Sequence, residues 1–316
     1  MADFEEIEPV DIREIWPHEA SDFTPWLADN IGRLGRALGM EIEVEEREAD
    51  VGDFSLDIKA KDLGTGRTVI IENQLTATDH DHLGKLLTYA GGFDAGVLVW
   101  IAKELRDEHR TALEWLNEHT GPDTDFFGVV VEVIRIGNSK PAVNFKPVVF
   151  PNEWQKGKAG GRTGTSPKAE AYRQYFQTLI DELRTKNKYT GAKVGQPQNW
   201  YSFSSGVGGI VTSNSFAEDN RVRVEVYIDL GDKEKNKALF DHLKGLEDAI
   251  HKDFGASLTW ERLDEKRASR IAFYREGNIE QSAESLAGIR QWSIDNLLRL
   301  KQTILPRAKA YLQKAK

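Results

Sequence analysis

The chain has no cysteine among its 316 residues. Structural disulfides, thiolate chemistry and Cys-ligated zinc are therefore excluded, and the absence fits a reducing compartment. It also lacks any apolar run near the roughly 20 residues that span a bilayer, so no membrane is expected as a partner. Residues 1–6 are acidic and carry no signal-peptide pattern, which makes the cytoplasm the expected location. Basic charge is scarce in one stretch only. The net charge is −9, but residues 1–50 hold 15 Asp and Glu against 4 Arg and Lys, and the remainder is nearly balanced. The acidity is an N-terminal property. It either repels phosphate or faces away from a basic groove, and sequence alone leaves both open.

A length of 316 residues favours two domains over one. The expected first domain covers 1–155, a flexible linker 156–167, and a C-terminal α+β domain for DNA recognition or assembly 168–316. The linker is read from Lys156 to Pro167, which is rich in glycine and poor in core formers. Residues 1–22 suggest an arm or an added strand. Thr24 and Pro25 read as the cap and first turn of a helix over 24–38 that Gly39 ends. Strands are predicted near 41–47, 53–60 and 67–73, then a helix over 81–91, a strand over 95–101 and a second helix over 105–119. Two more strands follow at 126–136 and 143–150. In the second half the pattern gives a helix at 167–184, strands near 200–204, 209–213, 221–229 and 258–263, a helix at 233–251 and a long closing helix at 282–314, interrupted near Pro306.

The residues with the most chemistry lie in the first half. Asp57 stands in the strand pattern after Gly52, and Glu72 ends the apolar run Val69-Ile70-Ile71. A turn at 62–66 joins the two strands, and a hairpin of this length brings the acids together. Hard oxygen ligands of this kind suit a divalent cation that polarises phosphate and lowers the pKa of water. The backbone carbonyl of Asn73 offers a further oxygen. Gln74 shares a strand face with Glu72, since side chains alternate. Its amide can orient a water or a phosphate oxygen but cannot take up a proton. Lys85 and Tyr89 lie one helical turn apart and share a face.

These residues, in this order, resemble the PD-(D/E)XK nuclease superfamily. The resemblance covers roughly 24–150 and implies an α/β restriction-endonuclease-like domain, a mixed sheet flanked by helices. Asp57 stands for the family's metal-binding aspartate, Glu72 for the acid of its E-x-K pair, and Gln74 for the lysine, which is a departure. Lys85-Leu86-Leu87-Thr88-Tyr89 matches the spacing of a Q-x-x-x-Y helix, with lysine first. Glu19 or Glu41 would supply the glutamate that the family's first helix often adds. Gln74 to Tyr89, Val224 to Asp229 and Trp260 to Arg270 also resemble a bacterial domain family without assigned function, the DUF4268 type.

The implied function is Mg²⁺-dependent hydrolysis of DNA phosphodiester bonds, with Mn²⁺ as a substitute cation and a role in defence or repair. Asp57, Glu72 and Asn73 would hold the metal. Asp57, Glu72, Gln74 and Lys85 would be catalytic, and Lys85, Tyr89, His82, Arg267 and Arg270 would bind substrate. Each has a plainer alternative. Asp57 and Glu72 are also ordinary strand-end residues, and Asp53 is either a supporting ligand or a turn acid. The run Asp79-His80-Asp81-His82 suits a helix cap as well as a metal cluster, and Lys85 is either at the site or on a solvated face. Arg262, Lys266, Arg267 and Arg270 form a DNA-facing patch or pair with Glu261, Asp264 and Glu265. A rival reading keeps the fold but makes it an inactive nucleic-acid or protein-binding module. A third makes the last helix a homodimer interface, provided Leu286, Ile289, Ile294, Leu297 and Leu298 are exposed.

Overall fold

The computed structural model describes residues 5–51, 54–121, 123–151 and 166–314. Asp53 and the linker residues Lys156, Lys158 and Arg162 fall outside them. The chain divides into two compact units, Met1–Asp62 with Gly66–Gly160 and Leu63–Thr65 with Gly161–Lys316.

The first unit is a mixed α/β sandwich. Its elements are β1 (Ile7–Val10), α1 (Ile12–Ile15), a π-helical turn (Glu19–Phe23), α2 (Thr24–Asp29), α3 (Ile31–Leu38), β2 (Ile42–Val51), β3 (Phe54–Asp62), β4 (Thr68–Ala77), α4 (His80–Phe93), β5 (Val97–Glu104), α5 (Asp107–His119), β6 (Asp125–Ile136) and β7 (Ala142–Val149). Seven strands form one sheet in the order β1-β6-β5-β4-β3-β2, with β7 also on β6. Strands β2, β3 and β4 are an antiparallel meander, whereas β4, β5 and β6 run parallel. The parallel strands require crossovers, which α4 and α5 supply. The residues expected to form an arm include β1, whose Ile7 pairs with Ile136.

Alternation along the strands sends apolar side chains to both faces, and each face has its own core. Ile58, Val69, Ile71, Val99 and Phe127 pack with Phe23, Leu27, Leu34 and Leu38. Ile70, Leu98, Trp100 and Phe126 pack with Leu86, Tyr89 and Leu113. A strand buried on both faces reads as a near-continuous apolar run, as the Val69–Ile71 and Val97–Ala102 segments do.

The helix expected over 24–38 is broken. Asn30 donates its backbone N–H to Trp26 and Leu27 carbonyls and its side-chain amide to Trp26 as well. This side-chain competition interrupts the ladder. Upstream the turn begins earlier than expected, at Glu19, so Thr24 is not a cap. Gly39 does end α3, at φ 71°.

The second unit is α+β: α6 (Pro167–Thr185), β8 (Trp200–Val207), β9 (Ile210–Ala217), β10 (Arg221–Ile228), α7 (Lys233–Lys244), α8 (Glu247–Phe254), β11 (Thr259–Glu261), β12 (Ser269–Glu276), α9 (Ala283–Thr303) and α10 (Leu305–Lys314). Its five strands are ordered β11-β12-β10-β9-β8 and every pairing is antiparallel. The residues alternating toward one face, among them Phe203, Val222, Val224, Val226 and Ile271, form one core with residues of all five helices. Gly209, at φ 74°, turns β8 into β9 where a Cβ would meet the Asp229 carbonyl oxygen at 2.8 Å. Ile289, Ile294 and Leu297 are buried in this core and Leu286 and Leu298 pack against it, so the last long helix offers no exposed apolar stripe for a dimer. Among the described residues no helix is long and apolar enough to cross a membrane.

Candidate active site

The β3–β4 ladder stops at the pair Ile58–Ile71. The next residues in register are Asp57 and Glu72, and there the strands part. The backbone N–H groups that β4 presents toward the departing strand are met by carboxylates instead of strand carbonyls. Asp57 Oδ2 accepts from Asn73 N at 2.7 Å, and Glu19 Oε2 accepts from Leu75 N. Buried amides must be paired, and two acids do this where the sheet forks. Asn73 lies fully buried with its side-chain amide donating to the Thr24 hydroxyl at 2.9 Å. That bond is what Thr24 does in place of capping α2. In a strand, a residue's carbonyl points to the same side as its N–H, so the Asn73 carbonyl also faces the fork.

Glu72 is 3% exposed and its Oε2 has no hydrogen-bond partner. Burial pushes its carboxyl up to about 8, and the neighbouring Asp57 pushes in the same direction, against the pull of Lys85. Asp57 is raised to about 7 by burial, opposed by the Asn73 N–H and raised further by Glu19 and Glu48. Lys85 again pulls it down. Desolvation and like charge thus act together on one pair. Tyr89, 1% exposed, donates its hydroxyl to the Ser55 carbonyl at 2.9 Å; burial and then Glu72 and Asp57 hold its pKa up at about 12.

Among the described residues no three His, Asp or Glu side chains are grouped to hold a metal ion. The oxygens present are two adjacent carboxylates and a strand carbonyl. That set suits Mg²⁺, which keeps several waters and binds through one or two carboxylates. It has none of the histidine or cysteine ligands on which zinc sites are built. The unpaired Glu72 Oε2 is the atom such a cation would satisfy.

Gln74 is 3% exposed on the same strand face as Glu72. Its Nε2 donates to the Ala77 carbonyl at 3.0 Å and to Asp79 Oδ2 at 2.6 Å, while its Oε1 has no partner. Lys85 and Tyr89 come from α4, and both act electrostatically with the acid pair. His82 is used differently. Asp79 caps α4 by accepting from His82 N at 2.9 Å, and the His82 ring lies 2.8 Å from the same oxygen. The structure therefore shows the cap, not a cluster, in Asp79–His82. His80 meets His109 (2.8 Å), which in turn meets the Thr78 hydroxyl.

Residues 171–308 match the family described as Domain of unknown function (DUF4268). That match lies in the second unit and leaves the carboxylate pair outside it. No curated protein matches the chain. One solved structure, the crystal structure of a repair endonuclease from Pyrococcus abyssi, is similar at 17% identity over 36% of this chain and 46% of its own, with a TM-score of 0.26. The chain spans less than half of that endonuclease, and a likeness of this size transfers neither fold nor activity.

In the second unit Arg262, Arg267 and Arg270 are paired with acids. Arg267 forms two 2.8 Å hydrogen bonds with Asp229. Arg270 pairs with Glu225 and, at 2.8 Å, with Glu261. Arg262 pairs with Asp241 and Asp264, and Lys168 with Glu280. Of the two alternatives for Arg267 and Arg270, the structure shows internal pairing.

Sequence reasoning placed Glu19 and Glu41 on an equal footing. Glu19 acts on the pair, because the π-helical turn carries it to β4. Glu48 was missed. It sits in β2 with φ 51° and raises both Asp57 and Tyr89. With Ala20, Thr24, Pro25 and Arg47 it lines a cavity of about 400 Å³. His109 was missed too, since a lone histidine in a helix gives no signal of burial.

Proposed function

We infer that the first unit is a metal-dependent nuclease that hydrolyses DNA phosphodiester bonds. The observation that carries this reading is Glu72, a buried carboxylate with one unpaired oxygen beside a second raised carboxylate. Lys85 and the Asp57 backbone N–H are what pull against that burial. The order helix, antiparallel meander, helix, parallel strand agrees with the nuclease resemblance of residues 24–150.

Asp57 and Glu72 would hold one Mg²⁺, or Mn²⁺ in its place, with the Asn73 carbonyl beside them. When bound, the cation activates water and polarises the phosphate. The chain's own residues do the remainder. Lys85 sets a positive charge against the phosphate, where charge develops in the transition state. Asp57 and Glu19 hold the fork open by occupying β4 amides. Gln74 can orient a water but takes no proton. Tyr89 braces α4 against β3 through Ser55, which keeps Lys85 at the pair.

The test uses supercoiled, linear and single-stranded DNA with Mg²⁺ or Mn²⁺, alongside Asp57→Ala and Glu72→Ala. Cutting by the wild type that falls at least about 10²-fold in either variant is expected. Equal cutting by all three proteins would place the activity elsewhere. A second reading, a binding module without catalysis, is favoured by the amide at Gln74 where the resemblance calls for lysine. It would give DNA binding that ignores divalent cations, and no cutting on any substrate.

A further inference from the structure

Two histidines on the crossover helices face each other. His80 opens α4 and is exposed, whereas His109 lies in α5 and is 3% exposed. His109 Nε2 stands 2.8 Å from His80 Nδ1, with the rings edge to face. On its other side, His109 Nδ1 stands 2.8 Å from the hydroxyl of Thr78. Thr78 is fully buried, and its hydroxyl oxygen accepts the Arg106 N–H at 3.1 Å. The row thus runs from an exposed ring through a buried ring to a buried hydroxyl.

These bonds fix the protons. A neutral imidazole has one donor and one acceptor. The Thr78 oxygen accepts from Arg106, and the acceptor beside its own proton is His109 Nδ1. A neutral His109 therefore carries its proton on Nε2 and donates to His80 Nδ1. One added proton fits, because a cationic His109 donates to Thr78 and His80 alike once the hydroxyl turns. A second does not fit: two charged rings would set N–H against N–H at 2.8 Å. Charge around His109 acts in the same sense. Burial, then His80 and Arg106, hold its pKa below the ordinary histidine value, against Glu108 and Asp79. Strand β5 presents the uncharged Trp100 ring at 5.3 Å.

We propose that His80 and His109 form a pH-operated latch between α4 and α5, closed while the two rings share at most one added proton and open when both are charged. Asp79, just before His80, caps α4 and holds the Gln74 amide, and α4 carries Lys85 and Tyr89. Opening loosens the cap that orders Gln74 and the helix that brings Lys85 to the acid pair. A ring kept neutral in the fold contributes stability that is whole above its ordinary pKa, about 6.5, and is lost as pH falls. Both histidines are positioning residues that act through α4. The consequence for DNA cutting rests on the nuclease reading, but the latch itself does not.

The experiment needs no DNA. Long-range ¹⁵N–¹H spectra of the histidine rings in the full chain, from about pH 8 to about pH 5, report tautomer and charge ring by ring, and amide exchange gives protection along α4. His82 bonds to Asp79, and reading each ring separately keeps its titration apart. Near pH 8, His109 should carry its proton on Nε2. His80 and His109 should titrate in two steps at least about one pH unit apart, a tenfold difference in proton affinity. Protection in the first turn of α4 should fall at least about tenfold with the second step. His80→Gln keeps a hydrogen-bonding partner without the second charge, so His109 should take its proton in one step at higher pH while α4 stays protected. His109→Gln should also keep α4 protected in acid, and it serves if His80→Gln does not fold. A His109 that titrates alike in the wild type and His80→Gln, or α4 protection that is equal at both ends of the pH range, would overturn the latch and leave the nuclease reading intact. Two steps in a chain that cuts no DNA would keep the latch and sink the nuclease reading.

Discussion

Two buried glutamates, one in each unit, are treated in opposite ways. Glu225 in β10 is 5% exposed and Glu72 in β4 is 3% exposed. Burial raises the pKa of both. Glu225 is answered by arginine on both sides, with Arg223 Nε at 2.8 Å and Arg270 in direct contact, and Arg270 is itself held by Glu261. Glu72 is answered by more acid, Asp57 and Glu19, with Lys85 pulling against them. A buried charge that the chain compensates for itself belongs to the architecture. One that the chain surrounds with like charge is stable only with help from outside. The contrast marks the fork of β3 and β4 as the place where a ligand is expected, and the arginine-rich sheet as a place already complete.

The largest effect should come from breaking the compensated glutamate. Glu225→Gln leaves two guanidinium groups facing a neutral amide, and a loss of about 3–5 kcal/mol in the unfolding of the second unit is expected from denaturant titration. The same change at the uncompensated glutamate should have the reverse sign. Glu72→Gln removes a destabilised charge, so the metal-free protein should gain about 1–2 kcal/mol near pH 8, roughly 2–8 °C in Tm, and lose its response to Mg²⁺. A destabilised Glu72→Gln protein would show that the carboxylate is structural after all.

The pH dependence sharpens the point. Asp57 at about 7 and Glu72 at about 8 lie above their unfolded values. The folded chain therefore binds more protons than the unfolded one between about pH 4 and pH 8. Metal-free Tm should fall as pH rises through that window, and saturating Mg²⁺ should reverse the trend, because cation and proton compete for the same oxygens. A metal-free Tm that rises over this range would contradict the raised values. The smallest effect belongs to Thr24→Val, which leaves the Asn73 amide without its acceptor and should cost about 1 kcal/mol while Mn²⁺ affinity holds.

Much of this was legible beforehand, and the failures have causes. The meander, α4, β5 and α5 were readable because apolar runs and helical periodicity agree there with the tertiary fold. Asp57 and Glu72 were readable because each interrupts such a run at a strand end. The break in the helix at Asn30 was not, since it depends on a side chain competing for a carbonyl. Glu19 was one of two candidates, and the π-helical turn that carries it to β4 has no compositional mark that would choose it over Glu41. Strand β12 (Ser269–Glu276) went unseen because Trp260 to Arg270 reads as a charged cluster. Its pairing with β10 sets Arg270 opposite Tyr227. The helix expected over 233–251 ends at Lys244 and resumes at Glu247.

The carboxylate of Asp57 stands in for a main-chain acceptor of the neighbouring strand. Replacing it with alanine does more than subtract a negative charge, because Asn73 must then find another oxygen, and the nearest remedy is for the two strands to go on zipping past Ile58 and Ile71. The notch between them would heal into ordinary sheet. Asparagine, which keeps an oxygen at that reach, is the substitution that separates loss of charge from loss of the opening itself.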